Sequence, residues 1–126
     1  MKVLFVCTGN ICRSPTAEGV FRHMVEEAGL ANLIQTDGCG LEGWHTGKQP
    51  DQRSMNHAKQ RGYDLSSLRA RQITQNDFVD FDLILAMDEG HLRDMKQMAN
   101  AEHHHKIQLF LDPVCKKFER REVPDP

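Results

Sequence analysis

Two cysteine–arginine pairs stand at the spacing C-x5-R: Cys7 with Arg13 in CTGNICRS, and Cys115 with Arg121 in CKKFERR. A deprotonated cysteine is a soft nucleophile, and an arginine offers a planar fork that matches the oxygens of a phosphate. The spacing does not separate the two pairs, but the residues around them do. Between Cys7 and Arg13 lie Gly9 and Asn10, the types that most readily take positive φ, so the loop is free to curl until successive backbone N–H groups face inward. Such a curl is an anion nest. Ser14 then offers an N-cap and Pro15 a first helical position, so the dipole of the following helix adds to the same spot. A cysteine at the base of this nest is favoured as thiolate. Ser14 is placed to donate to that thiolate and later to the departing sulfur. The chemistry is attack of sulfur on a bound tetrahedral oxyanion. CKKFERR has no glycine, is crowded with charge and is followed by no clear helix start, so its spacing is a coincidence.

Regular elements have to hold that loop in place. KVLFVC is a continuous apolar run ending at the loop, the pattern of a strand buried on both faces. After it, Ala17, Val20, Phe21, Met24, Val25 and Ala28 recur at helical spacing, and Gly29 supplies a stop. LIQTDGCG reads as a second, weaker strand, followed by a glycine-rich loop through Trp44, His45 and Thr46. Pro50 to Gly62 reads as a helix with Met55, Ala58 and Lys59 on one side. Thr74 opens a short helical turn, FDLILAM is a third buried strand, Asp88 caps a helix carrying Leu92, Met95 and Met98, and KIQLFL is a fourth strand. Strands alternating with helices predict an α/β fold, a four-stranded parallel sheet with helices on both faces. Ligands bind such sheets at the carboxyl ends of the strands, which is where Cys7 falls.

Composition sets the remaining bounds. A chain of 126 residues is large enough for one domain with its own core, and residues 1–126 read as one. Its formal net charge of −2 gives no reason to expect nucleic-acid or membrane binding, and no apolar run approaches the ~20 residues of a membrane span. MKVLFVC has no cleavage site after it and reads as a strand, not a signal peptide. Cys7, Cys12, Cys39 and Cys115 are irregularly spaced and form no C-x-x-C, so they read as free thiols of a reducing, cytoplasmic compartment. His103 to His105 read as a solvated connector, because three adjacent residues of a regular element cannot all face one metal ion.

VCTGNICRSPTAEG resembles the signature of the low-molecular-weight protein tyrosine phosphatases. Further similar stretches run down the chain in order: EGWHTGKQPDQRS, ARQIT, DFVDFDLILAMDEGHLRDM and the terminal VPDP. The resemblance implies hydrolysis of phosphotyrosine or small aryl phosphate esters through a cysteinyl-phosphate intermediate, with no metal and no organic cofactor. By position it makes Cys7 the nucleophile, Arg13 the phosphate clamp, Ser14 the thiolate partner, Asn10 the residue that holds the loop's shape, and Asp125 the general acid. Thr8, Gly9, Ile11 and Cys12 complete the phosphate loop, Ile11 and Trp44 wall the substrate pocket, and Cys12 is the redox partner of Cys7. Inorganic phosphate and vanadate are the implied small ligands. Asp112, in the other Asp-Pro pair, follows the fourth strand directly and does not share the VPDP context. The chain departs from the family at Leu68, where many members have a histidine supporting the loop asparagine, and at Cys39 and Leu41. It also stops at Pro126, where the family continues into aromatics and a last helix.

Three other functions compete. Arsenate reductases of this fold carry a similar loop but need further cysteines near the third strand, and residues 74 to 100 contain none. Protein-arginine phosphatases of the family favour threonine at the position of Ile11, whose apolar, β-branched side chain suits the flat side of a phenyl ring. A non-catalytic phosphoprotein-binding module is the third alternative, open only if the chain truly ends at Pro126, and release of phosphate separates it from the enzyme.

Overall fold

Strand β1 (Lys2–Cys7) takes its place from its composition. Val3 to Cys7 are all at most 3 % exposed, so neither face is free for solvent and the strand must be interior. It pairs in parallel with β2 (Gln35–Gly40) on one side and β3 (Leu83–Ala86) on the other, and β4 (Ile107–Leu109) extends β3. The order is β2-β1-β3-β4, and the four strands are parallel, the latter as the sequence predicts. The computed structural model describes residues 1–110.

Alternation along β1 divides the apolar residues between two layers. Leu4 and Val6 join Cys39, Phe78, Ile84, Met95 and Ile107 on one face of the sheet. Val3, Phe5 and Cys7 join Leu85 and Met87 on the other, packed by Ala17 and Phe21. Helix α1 (Arg13–Glu27) therefore covers one face, while α3 (Gln75–Asp80) and α4 (Glu89–Met98) cover the other. Helix α2 (Gln52–Gln60) is capped by Asp51, which accepts from the Arg53 and Ser54 N–H groups at 3.1 and 3.3 Å. His103 to His105 fall in a 3₁₀ segment, Ala101–Lys106, and no metal-holding cluster occurs among the described residues. No helix of the described residues is long and apolar enough to cross a membrane.

One local expectation is corrected, and two helix faces are more exposed than their spacing suggests. Helix α1 begins at Arg13, not after Ser14, with Cys12 at the cap position and Ser14 inside the first turn. Its hydroxyl is taken by loop atoms rather than by the helix amides. Pro15 is tolerated one residue later because that N–H is among the unpaired donors of a first turn. Lys59 is exposed, unlike the buried Ala58 on the same helix. Of the apolar stripe on α1 only Val25 is buried, and Met24 is 58 % exposed. Part of that stripe faces α2 instead of the sheet, across a groove of about 610 Å³ bounded by Val20, Met24, Ala58 and Tyr63.

Candidate active site

The segment from Cys7 to Arg13 leaves the end of the interior strand and turns straight into α1. Its carbonyls are bonded outward. Leu41 N–H donates to the Cys7 carbonyl and Glu42 N–H to that of Thr8, both at 2.9 Å, and Asp51 N–H donates to the Ile11 carbonyl at 2.6 Å. All peptides among the described residues are trans, so each peptide N–H points opposite to its C=O. The N–H groups of Thr8, Gly9 and Cys12 are thereby turned away from the flanking chain, as a nest requires.

Of the two loop residues expected to curl, Asn10 takes positive φ, at 58°, while Gly9 does not. This corrects the expectation that both residues supply the curl. Gly9 lies close under His45: a Cβ there would stand 2.9 Å from His45 Cδ2, and that side chain would have to shift. Gly40 has less room. Its Cβ would meet the Thr8 carbonyl oxygen at 2.6 Å and the Gly9 carbonyl carbon at 2.8 Å, so the end of β2 lies directly against the loop backbone. A Cβ at Gly38 would intrude between Glu18 Oε1 and Asn10 Oδ1, at 2.9 and 3.0 Å.

Inside the loop, Cys7 Sγ receives the Asn10 N–H at 3.3 Å and lies 3.0 Å from Ser14 Oγ. Ser14 is fully buried and also donates to Asn10 Oδ1 at 2.7 Å. Cys7, Asn10 and Ser14 thus form one buried cluster, with Asn10 holding the bend from both its backbone and its side chain. Leu68 appears in no hydrogen bond to that cluster among those described. Arg13 is 9 % exposed and pairs through Nη1 with Asp88 Oδ2 at 2.9 Å. Asp88 caps α4 by accepting the His91 N–H at 2.8 Å. Burial works to raise its pKa, but the His91 N–H and the Arg13 guanidinium outweigh it and hold the carboxyl below its ordinary range.

Behind the site, Arg71 makes a bidentate contact to Asp77 at 3.0 Å and reaches Asp37 at 3.1 Å. Burial would lower its pKa, but those carboxylates keep it charged and raise the pKa instead. The same segment runs alongside β2, where Gly40 N–H donates to the Arg71 carbonyl and Ile73 N–H to the Gly40 carbonyl, each at 2.8 Å. This clamps the strand end that seats the loop.

The structure brings together Cys7, Thr8, Gly9, Asn10, Ile11, Cys12, Arg13 and Ser14 of the expected set. Ile11 is half-buried at the loop, and Trp44 is 70 % exposed on the segment beyond β2. Cys7 and Cys39 are free thiols, with burial pushing Cys39 well up in pKa on the opposite face, and Cys12 is half-buried at the cap of α1. Asp125, Asp112 and Cys115 lie outside the described residues. Sequence reasoning missed His91, Gly40 and the Arg71 clamp, and it read Asp88 only as a cap.

Comparisons with known proteins agree with this geometry. The sequence profile of the family described as "Low molecular weight phosphotyrosine protein phosphatase" matches residues 2–126. A putative low molecular weight protein-tyrosine-phosphatase of Synechocystis is 46% identical, the match covering 100% of this chain and 80% of the relative. The solved structure of YfkJ from Bacillus subtilis superposes with a TM-score of 0.95 at 38% identity, covering 100% of this chain and 79% of that one. A structure titled as a Drosophila arginine phosphatase superposes with a TM-score of 0.90, also at 38% identity, covering 100% and 80%. The family match over nearly the whole chain, together with these identities, shows that the chain belongs to the low molecular weight phosphotyrosine protein phosphatases, a family of hydrolases.

Proposed function

We propose that Cys7 is the nucleophile of this phosphatase and that the loop from Thr8 to Arg13 holds the phosphoryl group of the substrate. The observation that carries the assignment is the placement of Cys7 Sγ, which the Asn10 N–H and the Ser14 hydroxyl approach together at the base of the loop. The thiolate attacks phosphorus, and a sulfur–phosphorus bond forms as the bond to the phenolic oxygen breaks. Asp125 gives its proton to that oxygen. Water then attacks the phosphocysteine, Asp125 takes the proton from the water, and sulfur leaves as thiolate while phosphate departs. Arg13 clamps the equatorial oxygens in both steps.

Ile11 and Trp44 form the aryl-binding wall, and the substrates are phosphotyrosine side chains of proteins and small aryl phosphates, met in the cytoplasm. Inorganic phosphate and vanadate occupy the same loop. Residues 1–126 act as one phosphatase domain. The apolar Ile11 favours tyrosine over arginine as the phosphorylated residue.

Cys7→Ser tests the reading. Turnover of phosphotyrosine should vanish while vanadate still binds, because the N–H groups and Arg13 remain. Activity near that of the unchanged protein would refute the assignment, and Cys115→Ser serves as the control that should leave activity intact.

A further inference from the structure

His91 has no part in the reaction just described, yet it is 5 % exposed and meets the phosphate loop twice. Its Nε2 lies 2.9 Å from Thr8 Oγ1 and 3.5 Å from Arg13 Nη2. Its Nδ1 lies 3.3 Å from Asp88 Oδ1. An arginine nitrogen is only ever a donor. The ring nitrogen facing it therefore presents a lone pair, which puts the proton of a neutral imidazole on Nδ1, whose 3.3 Å approach to Asp88 is an electrostatic contact without the alignment of a hydrogen bond. With Nε2 as acceptor, the Thr8 hydroxyl is the group that donates at 2.9 Å.

The contacts close a circuit. Thr8 reaches His91, His91 reaches Asp88, and Asp88 reaches Arg13 through its second oxygen. The backbone from residue 8 to residue 13 completes it. One end of α4 thus grips both ends of the loop, and the grip at the Thr8 end passes through the imidazole.

We propose that His91 is a positioning residue for the phosphotyrosine phosphatase reaction. It latches Thr8 to the start of α4 and, with Asp88, fixes the Arg13 fork before an oxyanion arrives. Removing the imidazole frees the Thr8 hydroxyl, which is on the exposed side of the loop, and takes away one of the groups that orient Arg13. The loss then falls on oxyanion affinity and on transition-state stabilisation together.

The proposal rests on the loop being the phosphate site, so vanadate inhibition of the unchanged protein is measured first. Its failure would overturn that reading, and this one with it. His91→Leu keeps the bulk and removes the lone pair, whereas His91→Gln places a carbonyl oxygen near the position of Nε2. His91→Leu should weaken vanadate binding and lower kcat/KM on phosphotyrosine by about tenfold, the loss expected for one hydrogen bond at a charged site. His91→Gln should stay within about threefold of the unchanged protein. Thr8→Val should show the part of the His91→Leu loss that runs through their shared contact, and the double variant should be no worse than His91→Leu, since that variant already removes the contact. Should His91→Leu fail to fold, Thr8→Val at its exposed position carries the test alone, and undiminished vanadate affinity would overturn the latch. Equal losses for His91→Gln and His91→Leu, or losses that multiply in the double variant, would also overturn it. So would a lowered melting temperature with unchanged vanadate affinity.

Discussion

Ser14 has one hydroxyl proton and two neighbours that compete for it, Cys7 Sγ at 3.0 Å and Asn10 Oδ1 at 2.7 Å. While Cys7 is a thiol, its own proton can point at Ser14 Oγ and the serine proton at Asn10. Once Cys7 is a thiolate, the serine proton turns to sulfur, and the Asn10 N–H already points there. Rotation of one O–H bond would thus be enough to redirect the serine proton between the two partners. The leaving group presents a different demand, because a phenolate has a conjugate acid of pKa about 10 and departs slowly unless protonated. A positioned acid is worth about 10²–10⁴-fold in such a step. Asp125→Ala should accordingly slow phosphotyrosine hydrolysis far more than that of an aryl ester with an acidic phenol, and Asp112→Ala should show no such dependence. Rates on a series of aryl phosphates decide it. If the leaving-group dependence appears in the Asp112 variant instead, the acid has been assigned to the wrong Asp-Pro pair.

At the scale of elements, the loop is shaped as much by its neighbours as by its own sequence. Gly40 at the end of β2 touches the loop backbone so closely that one methyl group has no place. Gly40→Ala should destabilise the protein by about 1–3 kcal/mol, the usual range for overpacking against unyielding backbone, and should weaken vanadate binding more than an equally destabilising core change such as Ile84→Val. Urea unfolding read beside vanadate inhibition separates the two effects. The elements themselves were legible because each carries a local signal: the apolar run of β1, the Asp88 cap, and the stops at Gly29 and Gly62, whose φ values are 72° and 88°. Cys7, Asn10 and Arg13 were legible for the same reason, being six residues apart or fewer. The start of α1 was misread because a serine before a proline signals a cap unless something else claims its hydroxyl, and here a buried sulfur and a loop amide do. Gly40, Arg71 and His91 left no local trace. Their partners are Thr8, Asp37 and Thr8 again, the last of them 83 residues away, and such pairings exist only once the strands have been put in order.

Taken over the whole molecule, two carboxyl groups give stability opposite dependences on pH. Asp88 has its folded pKa depressed, so its contribution is present above the ordinary 3.8 and is lost as the pH falls through the depressed value. Glu18 is 3 % exposed, and its pKa is raised chiefly by burial, opposed by Arg22 and assisted by Asp37. For a raised group the sign reverses: the contribution is complete below the ordinary 4.5 and is lost as the pH rises through the raised value. Glu18→Gln should therefore flatten the decline in stability on the neutral side of pH 4.5, as measured by urea unfolding across that range. A variant whose profile runs parallel to that of the unchanged protein would show that Glu18 does not cause the decline.

The crossover that places β3 beside β1 also sets a timetable for folding. The Arg13–Asp88 pair spans 75 residues, and the loop from Thr8 to Ser14 is not gripped until β3 and the first turn of α4 have docked. Contacts this distant in sequence form late, whereas helices α1 and α2 are local and form early. On dilution from denaturant, helical circular dichroism should recover ahead of the ability to bind vanadate, and enzymatic activity should return only with the slowest phase that builds structure. Activity regained in step with the first helical signal would mean that the loop assembles without the second half of the sheet.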